Sequence, residues 1–520
     1  MVESFTMKTQ LQPRQVGELE WTGTFLGIAI LFGIFVRVLP AFLAGFPIND
    51  GGMFSVMMRD LRGNGFALPI YTTYNYLDIP YAYPPLGFYL GALFELTGLT
   101  DLQVLTWLPT FFTALTVPLF YLLAKQLLGD RPRAALATAF FAFAPGNYVW
   151  LLMGGGLTRA LGTVFFITSL IFVLRTFENP SWRMTGLAVV SCSLVVLSHP
   201  QAALLAAMGC VIFGAFFIRS KTTLLHAFVI ALGTLLFTAP WWGSIAFRHG
   251  LEPFLSAGQS GNLSLSLAAL WENLLSRQTI LPFATIFRWL GLGWVIYKRR
   301  FDLLVWGFLP YFIDQRSASI VTSFLYPMLA AYGFLDVLPA CIDFVRTRKW
   351  RVEKDNAFMN RQGLSMSLLG ILFYLIIECF VHAYVIRNVT LSYASRDMMT
   401  WVSENTPTDG SFLILTGRAD VMTDAVQEWF PALAERHSAS TLQGLEWTLG
   451  REFYPRWNDL SALQSCRDVE CVESIGSKIN IEYNYLILDA NQTAPNLSSM
   501  FFDKGYKEVY KNGQYLVLEK

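Results

Sequence analysis

Asp50 stands in FPINDGGMFSVMMRDLRGNGF and Asp78 in YNYLDIPYAYPPLGFYLGALF, both acids set among aromatic and apolar side chains. A carboxylate in such a setting can take a proton from an attacking hydroxyl, and Asp50 is the first candidate for that role, with Asp78 second. Arg159 in MGGGLTRALG and Arg316 in YFIDQRSAS offer planar forks that grip phosphate oxygens two at a time. His199 in LSHPQAA, Asp314 two residues before Arg316, Arg37 in an otherwise apolar run and Tyr83 at the head of YPPLGFYLGALF complete the candidates for substrate contact. Each has a plainer role open to it. Asp50 could cap a helix, Asp78 could serve its loop, and Arg159 and Arg316 could pair with acids or reach to a membrane surface. His199 could be a hydrogen-bonded loop histidine, and Arg37 the partner of a buried carboxylate.

The elements that must position these residues are set by composition. With 54% apolar residues against 14% charged, and a mean hydropathy of +0.44, the chain is read as a polytopic α-helical membrane protein. A formal charge of +1 and the lack of an arginine-rich face give no support to nucleic acid as a partner; membrane lipids are the expected surroundings. Apolar runs able to cross roughly 30 Å of hydrocarbon, about twenty residues each, fall near 22–44, 102–128, 134–153, 157–175, 184–199, 201–218, 223–242, 280–297, 302–315, 318–340 and 364–386. About eleven spans are therefore expected, the two near 184 and 302 being short.

Orientation follows from basic residues in short loops. Arg131 and Arg133, Arg175 and Arg183, Arg219 and Lys221, Lys298 to Arg300, and FVRTRKWRVEKDNAFMNRQ each follow an even-numbered span. Residues 1–21 are thus expected in the cytoplasm, 22–387 in the membrane with a long first external loop at 45–100, and 388–520 outside the cell membrane's cytoplasmic face. That arrangement puts Asp50, Asp78, Arg159, His199, Asp314, Arg316 and also Trp241, Trp242 and Arg277 on the outer side. Polar backbone cannot face lipid, so the 45–100 loop must fold over the helix ends or line a cavity. Arginines, a carboxylate and apolar walls at one membrane face suit a lipid-phosphate substrate: the arginines stabilise the departing phosphate while the carboxylate serves as base at a carbon with developing oxocarbenium character.

The sequence resembles the GT-C superfamily of membrane glycosyltransferases, which use polyprenyl-phosphate-linked sugars and include protein O-mannosyltransferases and lipid A aminoarabinose transferases. The likeness lies in Arg37 late in the first span, Asp50 opening the first external loop, YPPLGFYLGALF before the second span, the many following spans and a C-terminal external domain. It implies a sugar transfer with inversion, Asp50 as general base, a polyprenyl-phosphate sugar as donor, and a glycan, lipid or protein as acceptor. The common Asp-Glu pair is here Asn49-Asp50-Gly51, and the WWDYG signature of oligosaccharyltransferases is absent, so no cofactor is read and a divalent metal is without support.

The last 130 or so residues read as a small α/β domain: SFLILTG and YNYLILDA as strands, DAVQEWFPALAERH as a helix, and KEVYKNGQYLVLEK as a hairpin turning at Asn-Gly. Cys466 and Cys471, on the oxidising side, are expected to pair; Cys192, Cys210, Cys341 and Cys379 lie in apolar runs as core residues. Two other functional classes fit the composition: a lipid or solute transporter (flippase), which would place its polar residues near the bilayer midplane, and a catalytically inactive scaffold.

Overall fold

The computed structural model describes residues 13–260, 283–348 and 362–520. Among them, seven helices are long and apolar enough to cross a membrane: Trp21–Ala44, Asp101–Leu128, Gly156–Glu178, Pro200–Phe217, Lys221–His249, Ser317–Val345 and Met366–Ile386. Seven of the expected eleven runs lie on these helices, and three more lie on the shorter apolar helices Trp182–Val196, Phe283–Tyr297 and Phe301–Phe312. Local signals set the boundaries. Helix α4 (Asp101–Leu128) opens on a reciprocal cap between Thr100 and Gln103 and stops at Gly129, whose φ of 69° only glycine adopts cheaply.

The clearest departure is the run expected to span 134–153. Helix α5 (Arg131–Ala142) ends before Pro145, which lacks an N–H and disfavours helix in the residue before it, and only one further turn, α6 (Val149–Leu152), follows. The chain then passes through Met153 and three glycines into α7 (Gly156–Glu178). A broken span at this point releases the backbone that reaches Asp50.

Three crossings finish at one end of the bundle. Ile48, after α1 (Pro13–Ala44), bridges both Met153 and Thr390, while Asn49 N–H donates to the Val389 carbonyl and Gly154 N–H to that of Ile48. The end of α10 (Lys221–His249) joins them, Arg248 donating to the carbonyls of Leu68 and Pro69. At the other end lie the basic loops. Arg133 forms a two-pronged pair with Asp336, and Arg300 binds Asp302 and the Leu127 carbonyl. Helix α2 (Gly52–Gly63) lies in the first loop with Met53, Val56, Met57 and Leu61 buried, followed by the short pair β1 (Tyr71–Thr72) and β2 (Ile79–Pro80) and by α3 (Leu86–Glu95).

The C-terminal region forms a five-stranded sheet from β3 (Ser411–Leu415), β4 (His437–Ser438), β5 (Tyr485–Asp489), β6 (Lys507–Lys511) and β7 (Tyr515–Glu519), in the order β4-β3-β5-β7-β6. Strands β4, β3 and β5 are parallel, and the β6–β7 hairpin is antiparallel. Leu486, Ile487 and Leu488 are buried on both faces of the sheet, which explains an unbroken apolar run where a one-sided strand would alternate. Cys466 and Cys471 are bonded, with Cα atoms 5.6 Å apart.

Candidate active site

Asp50 does not cap α2. The helix begins at Gly52 without a side-chain cap from its own chain neighbours, and the carboxylate of Asp50 turns instead to the start of α7. Its Oδ1 accepts the Gly155 N–H at 2.8 Å, and its Oδ2 accepts from Nη2 of Arg159, also at 2.8 Å. The N-terminus of α7, a natural seat for an anion, is therefore occupied by this carboxylate. Glycine leaves room for the pair: a Cβ on Gly155 would lie 2.6 Å from Asp50 Oδ2 and 2.7 Å from Arg159 Nη2 and displace them. Both partners remain reachable, the Asp50 side chain being 20% and the Arg159 side chain 14% exposed.

Arg159 is held from its other side by Trp150, whose ring centre lies 4.2 Å from the guanidinium carbon. Its Nε has no hydrogen-bond partner among the described residues, so the fork keeps a donor in reserve. The preceding residue, Thr158, donates to the Tyr83 hydroxyl at 3.3 Å, and the Tyr83 ring packs near His199, Phe54 and Trp447. His199 itself accepts the Ala202 N–H through Nδ1 and so starts the helix Pro200–Phe217. The structure thus brings together Asp50, Arg159, Tyr83 and His199.

The remaining candidates are placed differently. Arg37 is fully buried within the bundle and meets no carboxylate among the described residues: Nη1 donates to the carbonyls of Gly33 and Ala142, and the guanidinium lies 4.5 Å from the Tyr148 ring. It ties α1 to the end of α5, where the helix breaks, and supports the segment leading to Gly155 from below. Asp78 is exposed between Tyr76 and β2, with a left-handed φ of 47°, and is apart from the Asp50–Arg159 pair. Asp314 accepts from the Ser317 hydroxyl at the start of the helix Gln315–Tyr332; the side chain of Arg316 and the whole of Arg277 lie outside the described residues.

Sequence reading missed the groups that hold Asp50 in place. Glu428, in the helix Ala425–Leu433, is buried and accepts the N–H groups of Gly51 and Gly52 through Oε2 and that of Met53 through Oε1, each at 2.9 Å. Its neighbour Trp429 donates from Nε1 to the Asn49 carbonyl at 2.8 Å. Both sides of residue 50 are therefore clamped by adjacent residues of the C-terminal region. Burial pushes the Glu428 carboxyl up to about 7, with the nearby Asp50 charge acting in the same direction and the three amide bonds against it. The only sequence signal was an acid inside the apolar helix EWFPAL. Among the described residues no three His, Cys, Asp or Glu side chains assemble as metal ligands, and the oxygens of Asp50 and Glu428 are engaged by amides and Arg159.

No family model matches the sequence, and no curated protein is significantly similar to it. Solved structures do share its fold. The oligosaccharyltransferase of Archaeoglobus fulgidus, tethered to an acceptor peptide containing an NVT sequon, superposes with a TM-score of 0.54 at 16% identity, over 91% of this chain and 69% of that one. The same enzyme, AglB, with an inhibitory peptide and a dolichol-phosphate gives 0.52 at 15% identity over 91% and 69%. ArnT from Cupriavidus metallidurans bound to undecaprenyl phosphate gives 0.51 at 14% identity over 96% of this chain and 98% of that one. The chain has the GT-C-type fold of these membrane enzymes.

Proposed function

We propose that this chain is a membrane glycosyltransferase that moves a sugar from a polyprenyl-phosphate donor to the hydroxyl of a glycan, lipid or protein acceptor at the extracytoplasmic membrane face. The observation that carries the reading is the Asp50 carboxylate, turned away from the helix it precedes and held between the Gly155 amide and Arg159, next to Thr158, which bonds the Tyr83 hydroxyl. The basic loops gathered at the opposite end of the bundle support this end as the outer one.

In this mechanism the acceptor oxygen attacks the anomeric carbon, its bond forms as the bond to the phosphate oxygen breaks, and configuration inverts. Asp50 takes the hydroxyl proton; each of its oxygens accepts one bond in the structure, so lone-pair capacity remains. Arg159, whose side chain is 14% exposed and binds Asp50 through one nitrogen, stabilises with its other terminal N–H groups the charge developing on the departing phosphate. No step is routed through a metal. A transporter would gather its polar groups near the bilayer midplane, whereas Asp50, Arg159, Tyr83 and His199 meet at the helix ends.

The test is incubation of the purified protein with a panel of polyprenyl-phosphate sugars and acceptors, with release of lipid phosphate as the readout and Asp50→Asn as the control. Release by the wild type alone supports transfer. Equal release by both proteins overturns the role of Asp50, and none by either across the panel favours the inactive scaffold.

A further inference from the structure

The described part of the C-terminal region does more than cover the membrane face. Residue 50 sits in a turn of unusual backbone, with Asn49 at φ 57° and Gly51 at φ 136°. A turn of that shape has no hydrogen bonds of its own to fix it, and the amides that open α2 point out of it. Glu428 accepts three of them, and Trp429 takes the carbonyl on the other side of Asp50. Approach this close needs glycine: a Cβ on Gly52 would lie 2.7 Å from the Glu428 carbonyl oxygen, and one on Gly51 3.1 Å from the Trp429 ring. The helix bearing this pair is itself anchored to the first loop, Tyr74 donating to the Glu428 carbonyl and Arg59 to that of Ala432.

We propose that Glu428 is a positioning residue for the transfer reaction, fixing the turn that aims the Asp50 carboxylate at Gly155 and Arg159, so that the C-terminal region is required for the chemical step itself. This rests on Asp50 being the base. A carboxylate suits the task because both its oxygens accept, and an amide in the same place would present an NH2 group to one of the three N–H donors. A shift of the Asp50 carboxylate by an ångström would leave the lipid-binding surface whole and spoil the approach of the base to the hydroxyl.

The groups that face Glu428 are few. Asp50 lies across the turn with Arg159 behind it, and the Tyr74 hydroxyl binds the Glu428 main chain. Glu446 lies beyond Tyr74. Further out, Arg59 and Glu435 pair with each other, Asp60 binds Thr72 and Thr73, Arg396 stacks on Phe46 and Tyr393, and His437 binds the Asn75 carbonyl. No described cation pairs with the Glu428 side chain, so its protonation, centred near pH 7, should loosen the turn.

The experiment compares wild type, Glu428→Gln, Glu428→Asp and Asp50→Asn as full-length purified proteins. Binding stoichiometry of undecaprenyl phosphate counts correctly folded molecules, and turnover is measured with the polyprenyl-phosphate sugar that the panel identifies. Glu428→Gln should lower kcat by roughly 10-fold to 100-fold at unchanged stoichiometry and donor KM, and should abolish the rise of rate through pH 7 that is expected of the wild type. Glu428→Asp keeps the charge but withdraws it by one methylene, and should lose kcat without losing the rise; it serves if the Gln protein does not fold. Wild-type kcat in both Glu428 variants while Asp50→Asn is inactive would overturn the positioning role alone. Wild-type kcat in Asp50→Asn would overturn the base, and this inference with it.

Discussion

Glu428 Oε2 accepts the Gly51 N–H at 2.9 Å across a separation of 377 residues. By taking the amides at the head of α2 it performs the capping that the adjacent Asp50 would otherwise perform, and Asp50 is thereby released to face Gly155 and Arg159. The division of labour between these two carboxylates underlies the expectations that follow.

Replacing Asp50 with Asn keeps the size of the side chain and its bond to the Gly155 amide, but removes the proton acceptor. Turnover should fall by roughly 10²-fold to 10⁴-fold with undecaprenyl phosphate binding close to that of wild type. Transfer rate and binding measured on one preparation check this, and parallel loss of both would mean that Asp50 organises the donor site instead.

Arg159 holds Asp50 through one nitrogen and rests on Trp150, leaving further donors for a phosphate. Arg159→Ala should weaken undecaprenyl phosphate binding by about 1.5–3 kcal/mol, roughly 10-fold to 100-fold, as for loss of a charged hydrogen bond. Arg159→Lys should recover part of it, since it restores charge without the fork. Titration of the lipid phosphate decides; full recovery by lysine would show that charge alone matters.

Gly155→Ala places a methyl group within 2.7 Å of both members of the Asp50–Arg159 pair, whereas a Cβ at Gly146 meets nothing within 4 Å. The first substitution should reduce transfer by about 10-fold or more through displacement of the pair. The second should leave it unchanged. Comparable rates in the two proteins would show that the pair yields without cost.

The raised carboxyl of Glu428 links stability to pH in a definite direction. Between the ordinary value of 4.5 and about 7 the folded protein binds the extra proton, so the stabilisation from this group is complete below 4.5 and is lost as pH rises through about 7. Thermal unfolding of wild type, measured against Glu428→Gln to cancel other groups, should show the wild type losing ground as pH increases from 4.5 to 8. A difference that is flat or of opposite sign would mean that the buried carboxyl is relieved by something outside the described contacts.

Sidedness has its own measurement. Lys507 is exposed in the C-terminal sheet and Lys221 is exposed at the start of α10, beside the basic loop at the other end. A cysteine introduced at position 507 should react with an impermeant maleimide on intact cells, and one at 221 only after permeabilisation. The reverse pattern would invert the orientation proposed from the basic loops.

The sequence by itself determined the elements. Apolar runs of membrane length, basic residues after alternate runs, and the strands SFLIL and YLILD are written in local periodicity and composition, which act over a few residues and need no partner. The pairing of Arg159 with Asp50 was half legible, because an acid and an arginine both lay at the ends of runs on one face and pairing with an acid was open to Arg159. Where the 134–153 run breaks is marked in the sequence by Pro145, a signal that the expectation of an unbroken span left unused. What only the tertiary structure decided is which carboxylate does what. Whether Asp50 caps α2 depends on Glu428 arriving from the other end of the chain, and whether Arg37 finds an acid or a carbonyl depends on where α5 stops. A buried polar group must be satisfied by whichever partner the packing delivers, and that delivery is a property of the assembled fold, invisible to any window of the sequence.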